Sequence, residues 1–311
     1  MKPPWTPLIW ACCLLGCTPA EPTHLMAKGP GVSPPALQRA LPEPLRGRPL
    51  PARSTDYAKH LRLLRQRLPN GFTVVLEPPF VVIGDETPAR VRQRAAGTVR
   101  WAVKRLKRAY FPHDPKHILD IWLFKDGRSY REHAKRLFGE MPDTPYGYYS
   151  SSDRALVMNI STGGGTLVHE LVHPFMEANF PSCPAWFNEG LGSLYEQSAS
   201  RGQQIIGLTN WRLAGLQRAI RAARLPSFEQ LTRTSSRAFY DRDPGTNYAQ
   251  ARYLLYYLQE RGLLRRYYRV YHAQRHRDPT GYQSLKQVLG ETDMTRFQKR
   301  WERYVLTLQF P

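Results

Sequence analysis

Five consecutive residues, His169-Glu170-Leu171-Val172-His173, restrict what this chain can build more than any other stretch. On an α-helix, positions i and i+4 share one face, so both imidazoles can reach a single metal ion. Glu170 projects about 100° round the helix from His169, beside such an ion, where it can take a proton from a bound water. Val168, Leu171, Val172 and Phe175 supply apolar sides that hold the helix in a core. At this chain's own His and Glu frequencies the string arises by chance in about one such sequence in a hundred. Two histidines and a glutamate on a partly exposed helix is the plain alternative, and a third ligand decides between the two.

Downstream, Trp186-Phe187-Asn188-Glu189-Gly190-Leu191-Gly192 puts Glu189 near the start of an apolar-striped helix that includes Leu194 and Tyr195. Two antiparallel helices joined by the loop from Pro181 to Pro184 would bring Glu189 back towards the histidines. Two neutral imidazoles and one carboxylate leave a fourth position for water, the arrangement expected of a catalytic zinc, one per chain.

The pairing of His-Glu-x-x-His with Trp-Phe-Asn-Glu-Gly resembles the gluzincin metallopeptidases, most closely the peptidase-MA-like domains of bacterial exported proteins. The resemblance spans roughly residues 72–308, and its specific part is 155–196. It implies zinc on His169, His173 and Glu189, Glu170 as general base and acid, and a peptide or protein substrate. It also implies that the strand just before the metal helix, Ala155 to Ile160 here, is the sheet edge along which substrate lies. Gly163-Gly164-Gly165 would turn that strand into the helix. Related enzymes place a tyrosine hydroxyl over the oxyanion from the start of a later helix, and a neutral phenol suits that task. Tyr248, in Asn247-Tyr248-Ala249-Gln250-Ala251, stands at that place. With 17 tyrosines in the chain, simple packing of Tyr248 stays open, as do Tyr240 and Tyr253 in its stead. Two departures stand out. Pro174 follows His173 directly, which predicts a kink or a histidine presented from the helix's last turn. Ser193 occupies the position where some gluzincins carry an acid that orients a ligand histidine, so that support must come from elsewhere.

The amino terminus reads as an export signal: Lys2, a stretch from Leu8 to Gly16 without charge, then Leu14-Leu15-Gly16-Cys17, which resembles the bacterial lipobox. Cys17 is then lipidated and anchors the chain to the cell envelope, with Thr18 resembling outer-membrane sorting. Residues 18–51 are rich in Pro without apolar periodicity and form a spacer. The folded domain covers 52–311, with its sheet in 52–165 and a helical part in 166–311. No apolar run reaches the roughly 20 residues of a membrane-spanning helix.

Within the domain, helical spacing predicts a lead-in helix over 56–67 and a long helix over 87–110. Strands are expected at 72–76, 80–83, 118–124 and 155–160, with a helix at 129–138. Helices are expected at 166–179, 185–198, 210–223, 246–260, 262–275, 281–289 and 293–308. A small mixed sheet followed by helices is an α+β, zincin-like plan.

Forty-five Lys and Arg against 25 Asp and Glu leave a formal charge of +20. That excess favours anionic surfaces without naming one, and nothing here calls for specific nucleic-acid binding. The basic set Arg90, Arg92, Arg94, Arg100, Lys104, Arg105, Lys107 and Arg108 reads first as the wet face of a helix, and secondarily as attraction to anionic envelope lipid or polymer. The rival function is accordingly a zincin shell, weak or inactive, that binds envelope components through its basic surface. His272 and His276 share i, i+4 spacing but lack an acid, and Cys183 reads as inert.

Overall fold

The computed structural model describes residues 57–310, so the signal, Cys17 and the spacer lie outside the described residues. The chain opens with α1 (Tyr57–Arg65), then the strands β1 (Thr73–Glu77) and β2 (Phe80–Gly84). Next come α2 (Pro88–Arg94), a π-helical stretch (Ala95–Arg100) and α3 (Trp101–Ala109). Then follow β3 (Leu119–Phe124), α4 (Gly127–Phe138), β4 (Gly147–Ser150), β5 (Ala155–Asn159) and α5 (Gly164–Asn179). The second part holds α6 (Ala185–Leu194), a hairpin of β6 (Ser198–Arg201) and β7 (Gln204–Gly207), and α7 (Arg212–Arg221). It closes with α8 (Phe228–Arg233), α9 (Ser236–Asp241), α10 (Pro244–Glu260), α11 (Leu264–Gln274), α12 (Tyr282–Leu289) and α13 (Met294–Thr307). The α+β plan of a small mixed sheet followed by helices is therefore present.

The sheet runs β1-β2-β3-β5-β4, with β2, β3 and β5 parallel and the two outer strands antiparallel to their neighbours. The three inner strands are apolar nearly throughout because both faces are covered. Phe80, Val82, Ile121, Leu123, Leu156 and Met158 join the main core with α3 and α5. The alternate residues Val81, Ile83, Trp122, Phe124 and Val157 pack with Leu64 of α1 and Tyr130, Leu137 and Phe138 of α4. His60 and Asp120, both buried, meet at 2.8 Å and fasten α1 to the central strand.

Several expectations need correction. The strand before the metal helix is not the edge, because β5 is flanked on both sides and β4 closes the sheet. The long helix over 87–110 is helical throughout but changes to π winding at Ala95–Arg100. Residues 195–198 leave the helix expected at 185–198, since α6 stops at Leu194 and the chain turns into the β6–β7 hairpin. Pro174 does not end its helix: α5 continues past it to Asn179, with the proline ring buried.

In the helical part, α6 and α10 approach closely because Gly190 carries no side chain, and a Cβ there would stand 3.2 Å from that of Ala251. The buried Arg252 of α10 donates to the carbonyls of Ser193, Leu194 and Leu208, satisfying the open C-terminal end of α6. Burial pulls its guanidinium down to about 10.

Candidate metal centre

Local structure first puts the histidines where they can act. Gly163 adopts φ 108° at the start of α5, a backbone conformation that L side chains resist, and so turns the chain from β5 into the helix. The apolar sides Leu167, Leu171, Val172 and Phe175 are buried, which leaves His169 and His173 facing α6. Their rings pack edge to face at 5.0 Å. His169, Glu170 and His173 each offer a ligand atom within 4.8 Å of the others, a group that could hold a metal ion.

Glu189 of α6 joins them from the facing helix. Its Oε2 is 3.1 Å from His169 Nε2 and 3.9 Å from His173 Nε2. Glu170 Oε2 lies 3.8 Å from His173 Nε2. Donor atoms at 2.0–2.1 Å from a tetrahedral zinc stand about 3.3 Å apart, a spacing that the 3.1 and 3.9 Å separations of Glu189 Oε2 from the two Nε2 atoms bracket. The imidazoles also present the right nitrogens. His173 Nδ1 meets Asn188 Oδ1 at 3.1 Å, and His169 Nδ1 faces Glu196 Oε1 at 3.2 Å, a charge contact rather than an aligned hydrogen bond. With both Nδ1 atoms turned to oxygen, both Nε2 atoms are left for the centre.

The surrounding groups are held in turn. Tyr240 donates from its hydroxyl to Glu189 Oε1 at 2.7 Å. Arg212 grips Glu196 with two parallel bonds of 2.9 and 2.7 Å, and Asn210 Nδ2 adds a third at 3.0 Å. The same guanidinium lies 5.1 Å over the Tyr248 ring. Tyr248 thus sits in the site's wall, half-buried, its phenol pushed well up by burial and by the Glu189 charge. Tyr253 is elsewhere, its hydroxyl accepting from the Asn210 amide at 3.0 Å.

Electrostatics follow from burial among opposite charges. Desolvation opposes the imidazolium of His169, but Glu189 and Glu196 outweigh it and lift the group to about 10. Desolvation likewise opposes the Glu189 carboxylate, and the two histidines overcome it, lowering the group to about 2. Glu170 behaves differently: burial raises its carboxyl, and the histidines only partly offset this. A cavity of about 320 Å³ lies beside the first turns of α5, lined by Thr98, Trp101, Gly165, Val168 and Glu196.

Sequence reasoning found His169, Glu170, His173 and Glu189, and the fold brings these four together. Tyr240, Asn188, Glu196, Asn210 and Arg212 were missed as supporting residues. Glu196 carried one usable signal, since it stands one turn beyond Ser193 along the helical register of Glu189. His272 is not simply solvated, because its Nε2 meets the Asn179 carbonyl at 2.9 Å and caps the end of α5. Cys183 is a half-buried free thiol. No family model matches the chain, and no curated protein matches it.

Proposed function

We propose that this chain is a zinc-dependent metallopeptidase of gluzincin type, carried on the bacterial envelope by lipidated Cys17. The observation that carries the reading is the meeting of Glu189 Oε2 with both histidine Nε2 atoms, at 3.1 and 3.9 Å. His169, His173 and Glu189 would hold one zinc ion. That ion, when bound, supplies Lewis acidity towards the scissile carbonyl and lowers the pKa of a water towards 7.

The chain's own groups do the rest. Glu170, held above the usual carboxylate range by burial, takes the proton of the attacking water and returns it to the leaving amine. Tyr248 donates its hydroxyl to the carbonyl oxygen as charge develops there, and Tyr240 keeps Glu189 in place. The strand that offers a free edge beside α5 is β4, so an extended peptide would pair with Gly147–Ser150. Exposed Arg92, Lys104 and Arg108 on α2 and α3 support an added attraction to anionic envelope lipid or polymer.

Metal content and general peptidase activity test the reading, wild type against Glu170→Gln. Both proteins should carry about one zinc per chain, while the variant loses activity by roughly 10²–10⁴-fold. Metal without activity in either form favours the envelope-binding alternative. Freshly isolated wild type without zinc, all three ligand side chains intact, overturns the enzymatic reading.

A further inference from the structure

We infer that Glu196 is the positioning acid of the metal centre, orienting His169 from a position beyond the end of α6, with Arg212 as its anchor. The inference rests on the proposed zinc site and names a residue in that site's support. Ser193, four residues after Glu189 on α6, is fully buried and its hydroxyl has no hydrogen-bond partner. Two residues past the helix end, Glu196 brings Oε1 to 3.2 Å from His169 Nδ1.

Three constraints make Glu196 a fixed partner rather than a passing one. Its backbone presses on the first turn of α5, where a Cβ on Gly165 would overlap the Glu196 carbonyl oxygen. The end of α6 from which it emerges is tied down by Arg252 through the Ser193 and Leu194 carbonyls. Its carboxylate is clamped by both nitrogens of the Arg212 fork and by Asn210, a fully buried amide. A bidentate guanidinium fixes the plane of a carboxylate as well as its position. The oxygen facing His169 is therefore set before any ion arrives. A merely structural ion pair would need neither the contact with Nδ1 nor a ligand histidine at its end.

Zinc itself is the probe, with affinity measured by chelator competition on the full chain for wild type, Glu196→Gln, Arg212→Gln and His173→Ala. Glu196→Gln should bind zinc about 10–100-fold more weakly, the usual cost of removing an outer partner of a ligand histidine. Arg212→Gln should weaken binding in the same direction but by less, because Asn210 still holds one carboxylate oxygen. Cobalt(II) loaded in place of zinc should give a visible spectrum altered in Glu196→Gln, a readout that loss of a remote ion pair would not move. Melts of the metal-free proteins separate these effects from unfolding, and if Glu196→Gln fails to fold, Arg212→Gln carries the test. Wild type that binds zinc while the folded variants match it within twofold overturns this inference alone. Wild type with no zinc affinity overturns the proposed function together with it.

Discussion

Glu196 and His169 meet at 3.2 Å, although the acid lies beyond the last turn of the helix that carries the facing glutamate, Glu189. The contact ties α5 to the carboxylate that Arg212 grips, and that guanidinium lies over the Tyr248 ring. One side of the site is thus a relay of contacts running from His169 through Glu196 and Arg212 to the neutral Tyr248 ring. The other side rests on Asn188 behind His173 and Tyr240 behind Glu189.

The relay makes the metal-free protein sensitive to alkali. His169 is raised from 6.5 to about 10 in the fold, burial opposing and the two glutamates prevailing. A folded value above the unfolded one stabilises fully below about pH 6.5 and fades as pH climbs to about 10. Melting temperature of the metal-free wild type should therefore fall across that window, and His169→Gln should lose that part of the slope. Zinc affinity should rise across the same window, because the proton on His169 must leave before the ion binds. Equal slopes in wild type and His169→Gln would contradict the assignment.

The two tyrosines near Glu189 should separate by experiment. Tyr248→Phe should keep its zinc and lose roughly 100-fold in rate with little change in substrate affinity, as for a single oxyanion donor. Tyr240→Phe removes the 2.7 Å bond to Glu189 and should loosen zinc by about tenfold. Tyr248→Phe with wild-type turnover would take that hydroxyl out of the chemistry.

Gly192 offers a steric test of the same centre. A Cβ there would stand 3.0 Å from His169 Cδ2 and Nε2, so alanine must displace the imidazole by a few tenths of an ångström. Helix propensity favours alanine over glycine by about 1 kcal/mol, which offsets part of the crowding in the metal-free fold. Gly192→Ala should thus melt close to wild type without metal, yet bind zinc about tenfold more weakly. Unchanged affinity in a chelator competition would show that the ring has room to yield.

The anchor is tested by membrane partitioning. In a suitable bacterium the wild type should sediment with membranes, while Cys17→Ala stays unprocessed or becomes soluble. One acyl chain binds only marginally, so several chains or the basic surface must contribute. Soluble wild type with an unmodified residue 17 would refute lipidation.

How much of this could be read beforehand depended on whether the cause was local. Apolar runs long enough to be buried, such as Phe80–Gly84 and Leu119–Phe124, declared themselves to within a residue or two. The edge strand β4, Gly-Tyr-Tyr-Ser, did not, because a buried glycine and three half-exposed residues have no apolar signature of their own and form a strand only by pairing with β5. The six-residue helices α8 and α9 were missed for a like reason, and with α9 went the placement of Tyr240. Cooperative helix formation needs more turns than these have, so neighbouring packing must sustain them.

Within the candidate site the same division holds. His169, Glu170 and His173 were legible because helical geometry alone fixes which faces residues one and four apart occupy. Glu189 was legible because a short loop between two helices leaves few ways to return. The acid behind His169 was not, since Glu196 leaves the helix before it acts and is aimed by Arg212 and Asn210. Covalent spacing determined which side chains share a helix face. Only packing in three dimensions decided which charges stand behind them, because a hydrogen bond between distant segments leaves no period in the chain.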